Sequence, residues 1–143
     1  MRGEPERGAR DPIRVDQGDD HDMIVFGREM RSVRRAREWL RAFLGRRIPV
    51  AQADDAILVV SELVTNALRH GLGDVVVRTS IEEPTSVRLS VTDSGPEQPT
   101  LLPLDPTRIG GVGLRIVDEV AASWGVVPFP GGKTVWVVID PPT

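Results

Sequence analysis

The sequence contains no cysteine and no tyrosine. Without cysteine there is no disulfide framework and no thiolate metal site, a composition compatible with a reducing compartment. Phenylalanine and tryptophan occur only three times each in 143 residues, so aliphatic side chains must fill most of the interior. No run approaches the ~18 consecutive apolar residues of a membrane span. The first twenty residues also lack the apolar segment of a secretory signal. The expectation is a cytoplasmic protein with no membrane attachment. A net charge of −3 argues against a general nucleic-acid-binding protein, so no direct nucleic-acid contact is expected.

What is present reads as one domain with two short tails. Residues 1–22 are polar, punctuated by glycine and proline, and are expected to form a disordered tail. Residues 23–140 form the domain, and 141–143 a C-terminal tail. The run MIVFGRE from Met23 suggests a first strand. From Ser32, a candidate N-cap, Val33, Ala36, Trp39, Leu40, Phe43 and Leu44 recur at helical spacing. Gly45 and Pro49 are read as the end of that helix. A second helix is expected from about Ala53 to Arg69, with Asp54 and Asp55 in its first turn and Gly71 as its stop. Strands follow at 75–81 and 87–93, then a proline-rich connection, Pro96 to Ile109. A third helix is expected from about Leu114 to Ser123, and two last strands at 124–129 and 134–139 flank Pro-Gly-Gly. Helices segregated from a mostly antiparallel sheet predict an α+β, two-layer α/β sandwich.

The second helix carries an unusual stripe. At about 100° per residue, Ser61, Glu62, Thr65, Asn66 and Arg69 fall within one arc of roughly 140°. Ile57, Val59, Val60, Leu63, Val64, Ala67 and Leu68 take the other side. A solvated helix face accounts for this pattern. So does a site, because an amide oxygen together with nucleotide phosphates suits Mg²⁺, and a neighbouring carboxylate can accept a proton. Two glycine-bearing segments add to it. Asp93-Ser94-Gly95 ends a strand, where a carboxylate can accept a hydrogen bond from an exocyclic amine and glycine admits close approach; an Asx-type turn would look the same. Gly110 to Leu114, GGVGL, opens a helix, where backbone N–H groups can face an anion; a flexible hinge is the alternative. Gly131-Gly132-Lys133-Thr134 imitates the end of a P-loop. However, Val127 stands where the first glycine would be, and a strand follows rather than a helix.

In that order the three segments resemble the Bergerat-fold ATPases, the superfamily of gyrase, a heat-shock chaperone, histidine kinases and mismatch-repair proteins. Within it, Ser61–Gly71 (SELVTNALRHG) is similar to the N-box of bacterial anti-sigma factors that are also serine/threonine kinases. From about Met23 to Ile139 the chain resembles the small, stand-alone actinobacterial ATP-binding regulators of that type. The resemblance implies ATP and Mg²⁺ as cofactors, held between the helical layer and a short lid. It implies Asn66 as the Mg²⁺ ligand and Glu62 as the catalytic base for a protein hydroxyl. Asp93 would bind the adenine amine, Gly95 would let the base approach, and Gly111 and Gly113 would cradle phosphate. Arg108 is a candidate phosphate contact. Thr134 is a candidate adenine contact, although it stands one residue later than in many relatives, and such a shift turns a strand side chain to the opposite face. The family's Asp-x-Gly-x-Gly is also incomplete, with Pro96 and Glu97 after Gly95.

The implied activity is that of an anti-sigma-type regulator phosphorylating an anti-anti-sigma partner. The alternative is a non-catalytic, nucleotide-gated module that binds a sigma factor or another regulator. Homodimerisation is suggested by the resemblance alone. A histidine kinase is disfavoured, because His21 falls in the expected tail and His70 in the N-box. Between residues 28 and 47, eight arginines (28, 31, 34, 35, 37, 41, 46 and 47) face only Glu29 and Glu38. This is either a solvated helix face or a surface for an acidic protein partner.

Overall fold

The computed structural model describes residues 11–82, 84–95 and 112–142. The elements run β1 (Ile13–Gln17), β2 (His21–Phe26), α1 (Arg31–Leu44), α2 (Val50–His70), β3 (Leu72–Glu82), β4 (Ser86–Ser94), α3 (Val112–Val120), β5 (Ser123–Phe129) and β6 (Gly132–Ile139). The strands form one six-stranded sheet in the order β1-β2-β3-β4-β6-β5, and every pairing is antiparallel. The expected α+β sandwich is what the chain forms.

Period-two alternation decides which face of the sheet is covered. Ile24 and Phe26 of β2, Val75 and Val77 of β3, Val87, Leu89 and Val91 of β4, and Val137 and Ile139 of β6 are all buried. They meet Ala36 and Leu40 of α1, Val59, Val60, Leu63 and Val64 of α2, and Val117 of α3 in a single cluster. The opposite face is mixed in character and more open. There the Arg88 guanidinium lies 5.1 Å from the Trp136 ring centroid. Gln52, 1% exposed, fastens the start of α2 to the sheet. Its Nε2 donates to the carbonyls of Thr85 at 2.7 Å and Ile139 at 2.9 Å.

Several boundaries differ from expectation, each for a physical reason. The predicted tail contains β1. All five residues of that strand are exposed, so its short alternation of Ile13 and Val15 marks no core-facing side. It is held by backbone pairing to β2 and by Arg14, which bonds the Asp22 carboxylate. Asp22 is buried beneath α1 and also accepts from Trp39 Nε1 at 3.1 Å. Ser32 is not the N-cap of α1. It lies inside the helix, and its Oγ donates to the Gly27 carbonyl at 2.8 Å. Pro49 does not end a helix but stands at the N-cap of α2, where its missing N–H costs nothing. The helix therefore begins at Val50, and Asp54 and Asp55 fall beyond its first turn. α3 begins at Val112 rather than Leu114, and Ser123 belongs to β5.

Candidate functional site

Twenty-one residues long, α2 ends at His70, and the chain passes through Gly71 directly into β3. The first residue of β3, Leu72, pairs with Ser94 of β4. The end of the helix is thereby placed beside the Asp93 segment. Asp93 is the last buried residue of β4 and points to the helix-covered face with Val87, Leu89 and Val91. A Cβ added at Gly71 would stand 2.5 Å from Asp93 Oδ1 and 2.8 Å from Asp93 Cβ. The residue that stops the helix is thus glycine because the Asp93 side chain occupies the space where its own would be. Its φ of −104° demands no glycine; the requirement is one of volume.

Asp93 is 2% exposed. Lys133 of β6 is its cross-strand neighbour, and Nζ lies 2.8 Å from Oδ2. The other oxygen, Oδ1, is buried and has no hydrogen-bond partner among the described residues. A buried acceptor left unpaired costs about 1–3 kcal/mol, more when charged. Gln52 Oε1 is similarly unpaired, but its amide nitrogen makes two bonds and its side chain carries no charge. Asp93 Oδ1 is the acceptor that asks for a ligand. Gly132 closes the same corner: a Cβ there would run into the Asp93 carbonyl and stand 2.8 Å from the Phe129 ring. Gly95 follows immediately, its N–H donating to the Gly131 carbonyl at 2.6 Å.

On the polar stripe of α2, Ser61, Glu62, Thr65 and Asn66 are half-buried. The two hydroxyls are engaged locally. Thr65 Oγ1 donates to the Ser61 carbonyl at 2.7 Å, and Ser61 Oγ accepts from Arg37 of α1 at 3.3 Å. Glu62 and Asn66 have no side-chain partner among the described residues. They are the stripe's available carboxylate and amide. Asn66 precedes Gly71 by five residues, about 7.5 Å along the helix axis. No group of three or more His, Cys, Asp or Glu side chains among the described residues could hold a metal. An ion beside Asn66 would take its remaining ligands from phosphate and water, the usual habit of Mg²⁺.

Thr134 is not part of this cluster. It pairs with Thr92, and the two hydroxyls are 2.7 Å apart on the opposite face of the sheet. The residue that faces Asp93 is Lys133, which the sequence reading passed over with the P-loop imitation. The one-residue offset at Thr134 was the available signal, since a neighbour on a strand must face the other way. Gly113 lies in the first turn of α3, and α3 packs on α2. Arg108 and Gly111 lie outside the described residues.

Sequence reasoning also missed Arg28. Its guanidinium donates to the carbonyls of Ala67, at 3.1 Å, and Leu68 at the end of α2. A cation there satisfies the last carbonyls and complements the helix dipole. Arg28→Met is expected to cost about 1–2 kcal/mol of stability, read as a lower urea midpoint with unchanged slope. Arg28 is thus removed from the proposed partner surface. Arg31, which pairs with Glu29, and Arg47, which caps Phe43 and stacks on its ring, are likewise engaged. What remains is an open groove of about 430 Å³ between α1 and α2, lined by Arg34, Arg37, Arg41, Glu38, Ala42 and Ile57.

The six-stranded antiparallel sheet covered on one face by helices is an α+β domain of the ATPase class. The chain belongs to the histidine kinase-like ATPase domain family, whose profile matches residues 26–139. Among solved structures, its fold is similar to the RsbU and RsbW domains of Rv1364c from Mycobacterium tuberculosis. That likeness has 20% identity and a TM-score of 0.62, and covers 91% of this chain and 32% of that one. It is also similar to the Erythrobacter litoralis EL346 blue-light activated histidine kinase, at 26% identity and a TM-score of 0.55, over 75% of this chain and 40% of that one. The chain therefore spans well under half of either protein. No curated protein matches the sequence. Among the described residues, no helix is long and apolar enough to cross a membrane.

Proposed function

We propose that this chain binds ATP with Mg²⁺ against α2 and the β4–β6 corner, and uses it as a protein serine/threonine kinase of the anti-sigma type. The observation that carries the reading is Asp93, buried under Gly71 with one carboxylate oxygen unpaired. That oxygen suits the exocyclic amine of adenine. The residues present fit the implied cofactors, with an amide at Asn66 for the metal and a carboxylate at Glu62 a turn away.

When bound, Mg-ATP supplies the transferable phosphoryl group and the metal charge that balances it. Asn66 offers its side-chain oxygen to the metal. Glu62 accepts the proton from the attacking serine or threonine hydroxyl of a partner protein, as a general base within one turn of the metal ligand. Asp93 and Gly71 fix the base, and the first turn of α3, with Gly113, supports phosphate binding through its N–H groups. Arg108 and Gly111 are proposed to contribute to the same phosphate site. The partner is an anti-anti-sigma protein, with a sigma factor as a second protein ligand, and the arginine groove between α1 and α2 suits an acidic surface on either.

Glu97, standing where the family's Asp-x-Gly-x-Gly has its second glycine, with Pro96 before it, favours one alternative, a nucleotide-gated binding module without turnover. Incubation with γ-labelled ATP and candidate antagonist proteins separates the two. Label on a partner serine or threonine is expected. ATP binding with no transfer to any antagonist would leave the binding module as the correct reading.

A further inference from the structure

We infer that Lys133 is a base-reading residue, donating a hydrogen bond to the ring nitrogen next to the amine that Asp93 accepts. The inference rests on the ATP reading and deepens it. Lys133 and Asp93 are direct cross-strand partners, so both side chains leave the sheet on its helix-covered face. Their side chains are 16% and 3% exposed, and Nζ is 2.8 Å from Oδ2. An ammonium carries three donors. One is spent on Oδ2, and the other two have no partner among the described residues.

The corner therefore presents an unpaired acceptor, Asp93 Oδ1, and unpaired donors on Lys133 joined through the same carboxylate. A 6-aminopurine edge carries the complement, an amine N–H beside an unprotonated ring nitrogen, N1. The surroundings keep this pair in place. Gly71 leaves no room for a Cβ beside the Asp93 carboxylate, and Gly132 leaves none beside the Asp93 main-chain carbonyl. Thr134, the hydroxyl expected in this role, faces away and is bonded to Thr92. A lone neutralising lysine would serve Asp93 equally well with any base; a lysine that reads N1 would not. That difference is measurable.

Calorimetric titrations with Mg-ATP and with Mg-1-deaza-ATP, in which N1 is replaced by C–H, test the inference on the wild-type protein and on Lys133→Met. The wild type is expected to bind 1-deaza-ATP on the order of tenfold or more weakly than ATP, the usual size for a hydrogen bond involving a charged group. Lys133→Met is expected to lose a similar factor for ATP and to bind the two nucleotides almost equally. Lys133→Arg, which keeps a donor, is expected to recover part of the discrimination. Equal binding of both nucleotides by the wild type would overturn the inference with no variant needed. An equal loss for both on Lys133→Met would also overturn it, leaving Lys133 as a counter-charge for Asp93. Failure of the wild type to bind either nucleotide would instead sink the ATP reading itself, and this inference with it.

Discussion

Replacing Glu62 by Gln is expected to lower phosphoryl transfer to a partner serine by about 10²–10⁴-fold, the range lost when a positioned general base is removed. Mg-ATP affinity should change little. Glu62 stands on the polar stripe of α2 with no side-chain partner among the described residues, so the amide breaks no bond that holds the fold. A single-turnover assay with saturating labelled ATP reads the transfer step, and titration of the same preparation reads affinity. If transfer persists at the wild-type rate, another group takes the proton. If affinity falls with it, Glu62 belongs to the binding site and not to the chemistry.

The second large effect is expected at Gly71. Alanine there places a methyl 2.5 Å from Asp93 Oδ1, far inside van der Waals contact. Asp93 is short, buried and tied to Lys133, so it cannot swing clear without breaking that pair. Overpacking of this kind costs about 1–3 kcal/mol. Moving the carboxylate should also weaken Mg-ATP by roughly tenfold or more, the loss of one charged hydrogen bond. Urea unfolding and nucleotide titration of Gly71→Ala measure the two effects separately. A variant unchanged in both would mean that Asp93 is not lodged under the helix end.

Much of this was written in the sequence, and the exceptions share a cause. Residues whose roles depend on their own periodicity were legible. The apolar face of α2, the alternating strands β3 and β4, and the joint presence of Glu62 and Asn66 on one stripe follow from spacing alone. Asp93 was legible as a strand-end carboxylate. Residues whose roles depend on a distant segment were not. β1 buries none of its side chains, its Ile13 and Val15 included, and exists because β2 offers it a backbone edge. Arg28 looked like one more surface arginine, yet it caps a helix 40 residues further along the chain. Lys133 was hidden because only the register of β6 on β4 turns it, instead of Thr134, toward Asp93. Gly71 belongs to both groups. Its place as a helix stop was readable, whereas its true reason, the carboxylate beside it, needed the sheet to bring residue 93 alongside.

The same distinction applies to the arginines of α1. Their number suggested a broad basic surface, and helical spacing set Arg34, Arg35 and Arg41 opposite the apolar stripe with Arg37 at its edge, but it could not show which arginines the rest of the fold would engage. The fold does so by geometry, engaging Arg28, Arg31 and Arg47 internally and leaving Arg34, Arg37 and Arg41 along the groove beside α2. Exposed ion pairs such as Arg41 with Asp54, 3.7 Å apart, contribute little to stability. Those guanidiniums remain available to a partner at small cost to the fold.

Calorimetric titration of Mg-ATP into the wild-type chain and into Asp93→Asn bears most directly on the proposed site. Asparagine keeps the shape of the side chain while it removes the charge facing Lys133 and weakens the acceptor left for the purine amine. The wild type should bind stoichiometrically, and the variant should remain folded with affinity lower by roughly 10- to 150-fold, equivalent to about 1.5–3 kcal/mol. Equal affinities for the two proteins, or no binding by the wild type at millimolar nucleotide, would contradict the account.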